Sequence, residues 1–231
     1  MLGVSLYIRD NYDLKDYEII GTSAGSWIKL LLLTESSSDI LINNIIIPII
    51  KNISNQKLLN KNLLDTLFIS FNNTKIKFNY YKGHIGLTEI NFNKFNIINS
   101  KIINGSDCYN FEDYLNYCKC SSFIPILFGN NIYIEYNNTK YLDGWLSKSN
   151  ENYENYNNII FKIDPSMWGR KYNVFEGFYL NNKKLKKLFI DGYKDTHLNR
   201  NNINLKKKNF LIRKINNIKI KILLKYFDNI I

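Results

Sequence analysis

The chain has 231 residues, of which 45% are hydrophobic, enough for a sizeable core and too apolar for a disordered chain. Its formal charge is +11. Residues 200–231 carry nine basic side chains and one acid, or +8, so residues 1–199 carry only +3 and the basic character belongs to the C-terminal segment. The longest apolar runs, such as IIIPII at 45–50, are too short to span a bilayer.

Leu2, Leu6 and Arg9 fall at helical spacing, so residues 2–9 read as the end of a helix. YEII at 17–20 reads as a short strand, GTSAG as a tight turn, and SWIKLLLLTE at 26–35 as a buried helix. Residues 36–50 read as a loop and a helix interrupted by Pro48. LFISFNNTKIKFNYY at 67–81 alternates about Asn72 and Asn73 and predicts a hairpin. FEDYLNYCKC at 111–120 predicts a helix, and IYIEYNNTKYLDG at 132–144 a second strand–turn–strand unit. NIIFKI at 158–163 reads as a buried strand, and residues 181–195 as a helix ending at Gly192. Residues 210–227 read as a helix with Lys214, Lys221 and Lys225 near one face and Ile215, Ile218 and Ile222 roughly opposite, with a strand at IKIKI (218–222) as the alternative.

Three cysteines, Cys108, Cys118 and Cys120, form no C-x-x-C and suggest no disulfide framework. The first residues lack a signal-peptide pattern. A reducing, intracellular and cytoplasmic setting is expected. No cluster of His, Cys or carboxylates has metal-ligand spacing, so neither metal nor cofactor is expected. Despite the charge, there is no zinc spacing, RNA-binding signature or helix-turn-helix, and nucleic acid is not expected as a partner.

The chemistry concentrates at Gly21-Thr22-Ser23-Ala24-Gly25. Strand, small-residue turn and helix form the context of a nucleophile elbow. Gly21 and Gly25 would let strand and helix approach closely, and the Ala24 N–H would donate to an oxyanion. A serine needs a base. Ser23, Asp143 and His197 follow the order of a hydrolase triad, yet twenty-two residues cannot hold the strands that precede the nucleophile in the common α/β-hydrolase layout. His197 and His84 both read as loop or strand-end residues, which favours a Ser–Asp pair instead.

GTSAGS at 21–26 resembles the nucleophile motif of the patatin-like phospholipases. CKCSSFIPILFGNNIYIEYNNTKYLDGWLS at 118–147 is similar to that family's second signature, with Ser122, Pro125, Asp143 and Gly144 matching it. The wording CSSFIP is closest to the adiponutrin-like branch. LFIDGYKDT at 188–196 resembles the family's closing helix. The resemblance implies a three-layer α/β/α sandwich with a mostly parallel central sheet. It implies an acyl hydrolase domain over 1–199, followed by a basic segment over 200–231. It makes Ser23 the nucleophile and Asp143 its base, acting on phospholipid or acylglycerol esters. Trp145 stands where the family has Gly or Ala, and would wall an acyl cleft or crowd the pair. The family's glycine-rich oxyanion loop has no counterpart before Leu2, so the resemblance implies either a true start upstream of Met1 or an N-terminally truncated and weakened relative. The competing expectation is a lipid- or protein-binding module without turnover. Either form would dock peripherally on a membrane or droplet, through Lys206, Lys207, Lys208, Arg213 and Lys214 with Phe210, Leu211 and Ile212 inserting.

Overall fold

The computed structural model describes residues 1–54, 62–92, 98–125, 127–147, 161–169, 182–216 and 218. The chain divides into two units that interleave in sequence: Glu18–Glu35 with Leu59–Ile159, and Met1–Tyr17 with Ser36–Leu58 and Ile160–Ile231.

The first unit is mixed α/β. It holds strand β1 (Ile19–Thr22), helix α2 (Ala24–Ile28), α5 (Leu63–Asn72), β2 (Gly83–Ile90), β3 (Ile98–Asn104), α6 (Phe111–Ser121), β4 (Ile134–Tyr136) and β5 (Thr139–Leu142). The five strands form one sheet around β2. Strand β3 pairs antiparallel with β2 along residues 84–90 and so occupies one edge. The other edge is shared: β1 runs parallel to residues 83–86, and β5 runs antiparallel to residues 88–90. The sheet is therefore mixed, not mostly parallel. The connections explain this. The β1 to β2 connection is long enough for parallel pairing, whereas β2 to β3 spans residues 91–97 and β4 to β5 only Asn137 and Asn138, which suit antiparallel neighbours. Those two asparagines have φ of 48° and 59°, as a two-residue type I′ hairpin requires.

In this unit Trp27, Phe71, Phe78, Phe111, Tyr80 and Tyr114 form a chain of ring contacts. Residues 63–72 join it as a helix and not as the expected hairpin strand. Leu64, Leu67, Phe68 and Phe71 repeat at helical spacing, and Leu64 and Phe71 are buried. Residues 26–35 are less helical than expected, because α2 tightens into a 3₁₀ turn at Lys29–Leu31.

The second unit contains α1 (Leu2–Asn11), α3 (Ser38–Leu41), a π-helical turn (Ile42–Ile46), α4 (Ile47–Ser54) and α7 (Asn182–Leu198). The π turn explains why Pro48 does not interrupt the helix: the wider coil precedes the residue that lacks an N–H. Helix α7 runs on past Gly192, which serves packing and not termination. A Cβ there would lie 3.4 Å from Val4 N, and one on Gly3 would lie 2.0 Å from Phe189 O, so α1 and α7 cross at their glycines. Helix α1 buries Arg9, Asp10 and Asn11. Arg9 Nη1 donates to Ser38 Oγ at 2.9 Å, and Ser38 donates to Asp10 Oδ1. Burial pushes the Asp10 carboxyl up to about 6. Residues 161–163 are not in a strand, and the rest of the expected 158–163 strand lies outside the described residues, as does most of 217–227. Among the described residues no helix is long and apolar enough to cross a membrane.

Candidate active site

The shared edge of β2 creates the site. Strand β1 ends with Thr22 opposite Gly86, and β5 ends with Leu142 opposite Thr88. Because the two run in opposite directions along one edge, their C-terminal ends meet head-on at Leu87. The next residue of each is Ser23 and Asp143. Ser23 Oγ donates to Asp143 Oδ2 at 2.6 Å, across 120 residues of sequence.

Ser23 sits in a backbone conformation foreign to serine, with φ 54° and ψ −132°. Such a residue persists only where its surroundings over-determine it. Here they do. The Ser23 N–H donates to Ser121 Oγ at 2.9 Å, and the Ser121 hydroxyl donates on to Gly86 O at 2.7 Å. The Ser23 carbonyl accepts from Ser26 N at 2.8 Å and Ser26 Oγ at 2.7 Å. Gly21 is needed because a Cβ would lie 2.4 Å from Gly25 O. Gly25 differs from the expectation: a Cβ there meets no described atom within 4 Å, so close packing does not require it.

Asp143 is held as firmly. Its N–H donates to Phe123 O at 2.8 Å, its carbonyl accepts from Thr88 Oγ1 at 2.7 Å, and Gly144 N–H donates to Ser121 O at 2.9 Å. Its second carboxylate oxygen accepts from Trp145 N–H at 2.9 Å. Gly144 admits no side chain, since a Cβ would lie 2.3 Å from Gly86 O. Asp143 is only 3% exposed. Burial raises its carboxyl above the ordinary value, while the hydrogen bonds from Ser23 and Trp145 pull it back down. The result is a shielded carboxylate with raised basicity, one oxygen on the nucleophile and the other fixed by backbone. Trp145 is 73% exposed and donates its N–H to Asp143, so it projects into solvent and does not crowd the pair.

The expected residues thus separate. Ser23, Asp143, Gly21 and Gly144 come together. Ala24 is the first residue of α2, so its N–H is one that the helix leaves unused beside Ser23. Ser122 accepts from Trp27 Nε1 at 3.0 Å and anchors α2, while the neighbouring Ser121 binds the nucleophile's backbone. Ser121, Gly86 and Thr88 were not legible beforehand; the doubled serine at the end of α6 is the one signal that pointed near them. His84 Nε2 lies 3.2 Å from Glu18, and His197 Nδ1 lies 3.4 Å from the Tyr7 hydroxyl. Of the basic residues, Lys206, Lys207 and Lys214 are exposed. Lys208 instead turns its ammonium to Arg9 O at 2.7 Å, and Arg213 is half-buried against α1. All three cysteines are unpaired and buried. Among the described residues no group of His, Cys, Asp and Glu has the arrangement to hold a metal. The chain matches no protein-family model, no curated protein and no solved structure.

Proposed function

We propose that the chain is a serine-dependent acyl-ester hydrolase of patatin-like type, with Ser23 as nucleophile and Asp143 as base. The observation that carries the reading is the 2.6 Å Ser23–Asp143 hydrogen bond made by a serine at φ 54° and ψ −132°. Structural serines have no need of that backbone, whereas an exposed nucleophile on a strand-to-helix turn does. Ser23 Oγ attacks the ester carbonyl carbon as its proton passes to Asp143. The Ala24 N–H stabilises the oxyanion. Asp143 then returns the proton to the leaving alkoxide, which departs and leaves an acyl-enzyme. In the second half Asp143 takes a proton from water, the hydroxide attacks the acyl carbon, and Ser23 is released with its proton restored.

The substrate class belongs to the same proposal: a long-chain acyl ester of phospholipid or acylglycerol, held in a membrane or droplet surface. Exposed Trp145 and Leu146 directly beyond the base support an apolar approach to the site. The family's layering of helices on both faces of the sheet is part of the proposal too. The full chain is incubated with a fluorophosphonate probe and the adduct is mapped. Labelling on Ser23 that disappears in Ser23→Ala is expected; a folded protein that takes no label refutes the mechanism.

One observation favours a weaker variant. The N–H of Ser23 is already held by Ser121, which leaves Ala24 as the oxyanion donor identified beside it. A catalytically weakened module would take the probe slowly and hydrolyse long-chain ester at a low rate.

A further inference from the structure

Residues 210–216 are helical, and Ile218 continues the same conformation. At 3.6 residues per turn, Arg213 and Asn216 fall on one side. That side faces the protein. Asn216 Nδ2 donates to Asp10 O at 2.9 Å, and the Arg213 guanidinium lies close enough to Tyr7 and Tyr12 of the α1 region to act on both phenols. The preceding segment is bound to the same stretch: Lys208 N–H donates to Asn11 O at 2.9 Å, and Asp13 N–H donates to Lys206 O at 2.7 Å. The opposite side is mostly apolar, with exposed Lys214 also on it. Leu211, Ile215 and Ile218 form its centre, flanked by Phe210 and Ile212, and all five are between 49% and 66% exposed.

The helix is therefore inverted with respect to an ordinary surface helix, which buries its apolar side and wets its polar one. Five large apolar side chains standing together in water signify an unfilled contact. Charge identifies what fills it. Lys206, Lys207 and Lys214 are exposed on the same segment, and residues 200–231 carry +8. A cationic border around an apolar face fits a surface that is negative at its boundary and apolar beneath. We infer that the 210–218 face is an interfacial anchor which inserts Leu211, Ile215 and Ile218 into an anionic lipid surface, while Asn216 and Arg213 hold it to α1. This gives the lipid reading a docking element, and its test requires no turnover.

The full chain is sedimented with vesicles of ether-linked phosphatidylcholine, with and without ether-linked phosphatidylglycerol, which an ester hydrolase cannot consume. Binding is expected to the anionic vesicles and to weaken as salt rises. Replacing Leu211, Ile215 and Ile218 together by Gln is expected to weaken it by about a hundredfold or more, since each exposed apolar side chain gained by the bilayer is worth on the order of tenfold. Replacing Lys206, Lys207 and Lys214 by Gln is expected to lower it about fivefold per charge. Circular dichroism checks that both variants remain folded, as the exposure of every substituted side chain leads one to expect. Binding that ignores the apolar substitutions overturns the inference. So does a concentration-dependent dimer that the same substitutions abolish, because the face would then belong to a second copy of the chain.

Discussion

Ser23 and Asp143 separate catalysis from stability at the level of single residues. A serine in that conformation costs about 1–3 kcal/mol, and the network through Ser121 and Ser26 offsets it. Asp143 titrates above its ordinary value because it is buried. Its protonated form thus favours folding: the stabilising contribution is complete below the ordinary carboxylate pKa and is lost as pH rises through the raised one. Activity runs the opposite way, because only the carboxylate accepts the proton of Ser23. Probe labelling should therefore rise with pH through a midpoint above that of a free aspartate. Asp143→Asn should cut the labelling rate about 100- to 10,000-fold while melting at the same or a higher temperature at neutral pH. A large loss of melting temperature would mark Asp143 as a structural residue. Ser121→Ala should act differently. It strands the Ser23 N–H, costs about 1–3 kcal/mol in thermal unfolding, and lowers kcat with little change in KM.

Elements determine where these residues meet, and here the sequence is only partly informative. The Asn137-Asn138 turn was readable, because two adjacent residues that tolerate positive φ between alternating strands specify a hairpin. The same cue misled at Asn72 and Asn73, where the helical repeat of Leu64, Leu67, Phe68 and Phe71 prevails over the alternation that follows it. Strands β2 and β3 passed unnoticed, since GHIGLTEI and INSKIIN mix Gly, Lys and Asn with apolar residues and owe their pairing to one another. Ser23 and Asp143 were legible through their motifs. Their meeting was not, because it depends on β1 and β5 sharing one edge of β2, and no local pattern encodes register between distant strands. The glycines test that junction. Gly144→Ala places a methyl 2.3 Å from Gly86 O and 2.7 Å from Thr22 Cγ2, which must push β1 from β2. Overpacking of this kind costs about 1–3 kcal/mol, read as a lowered urea midpoint. Gly25→Ala meets nothing within 4 Å and gains helix propensity in α2, so its midpoint should hold or rise.

At the scale of the whole molecule, charge is distributed in two very different ways. Most of it is solvated, and much of it lies in the basic C-terminal segment. Among the described residues Arg9, Asp10 and Asp143 are buried ionisable groups, and so is Lys29. It is 2% exposed, with its ammonium on His84 O and over the Tyr114 ring at 4.9 Å. Burial lowers it to about 7, against weaker opposing effects of Cys118 and Cys108. Between that value and the ordinary lysine pKa, the unfolded chain binds the proton that the folded chain has released. Folding stability from this group must consequently rise as pH climbs from about 7. Cys118, pushed up to about 11 by burial, works against it only above its own ordinary value of 9.0. The Met1 amine, lowered by burial from 8.0, acts in the same direction over that interval, so a variant is needed to isolate Lys29. Lys29→Met keeps the stem that packs against Gly21 and removes the buried ammonium. Replacing a poorly compensated buried charge by an apolar side chain of similar shape stabilises by about 1–4 kcal/mol. The variant should melt higher than the parent at neutral pH, and the gap should narrow as both are titrated toward alkaline pH. A gap that stays constant with pH would mean that Lys29 stays charged in the fold. A variant that melts lower throughout would mean that the bond to His84 O holds β2 against α2 more strongly than desolvation opposes it.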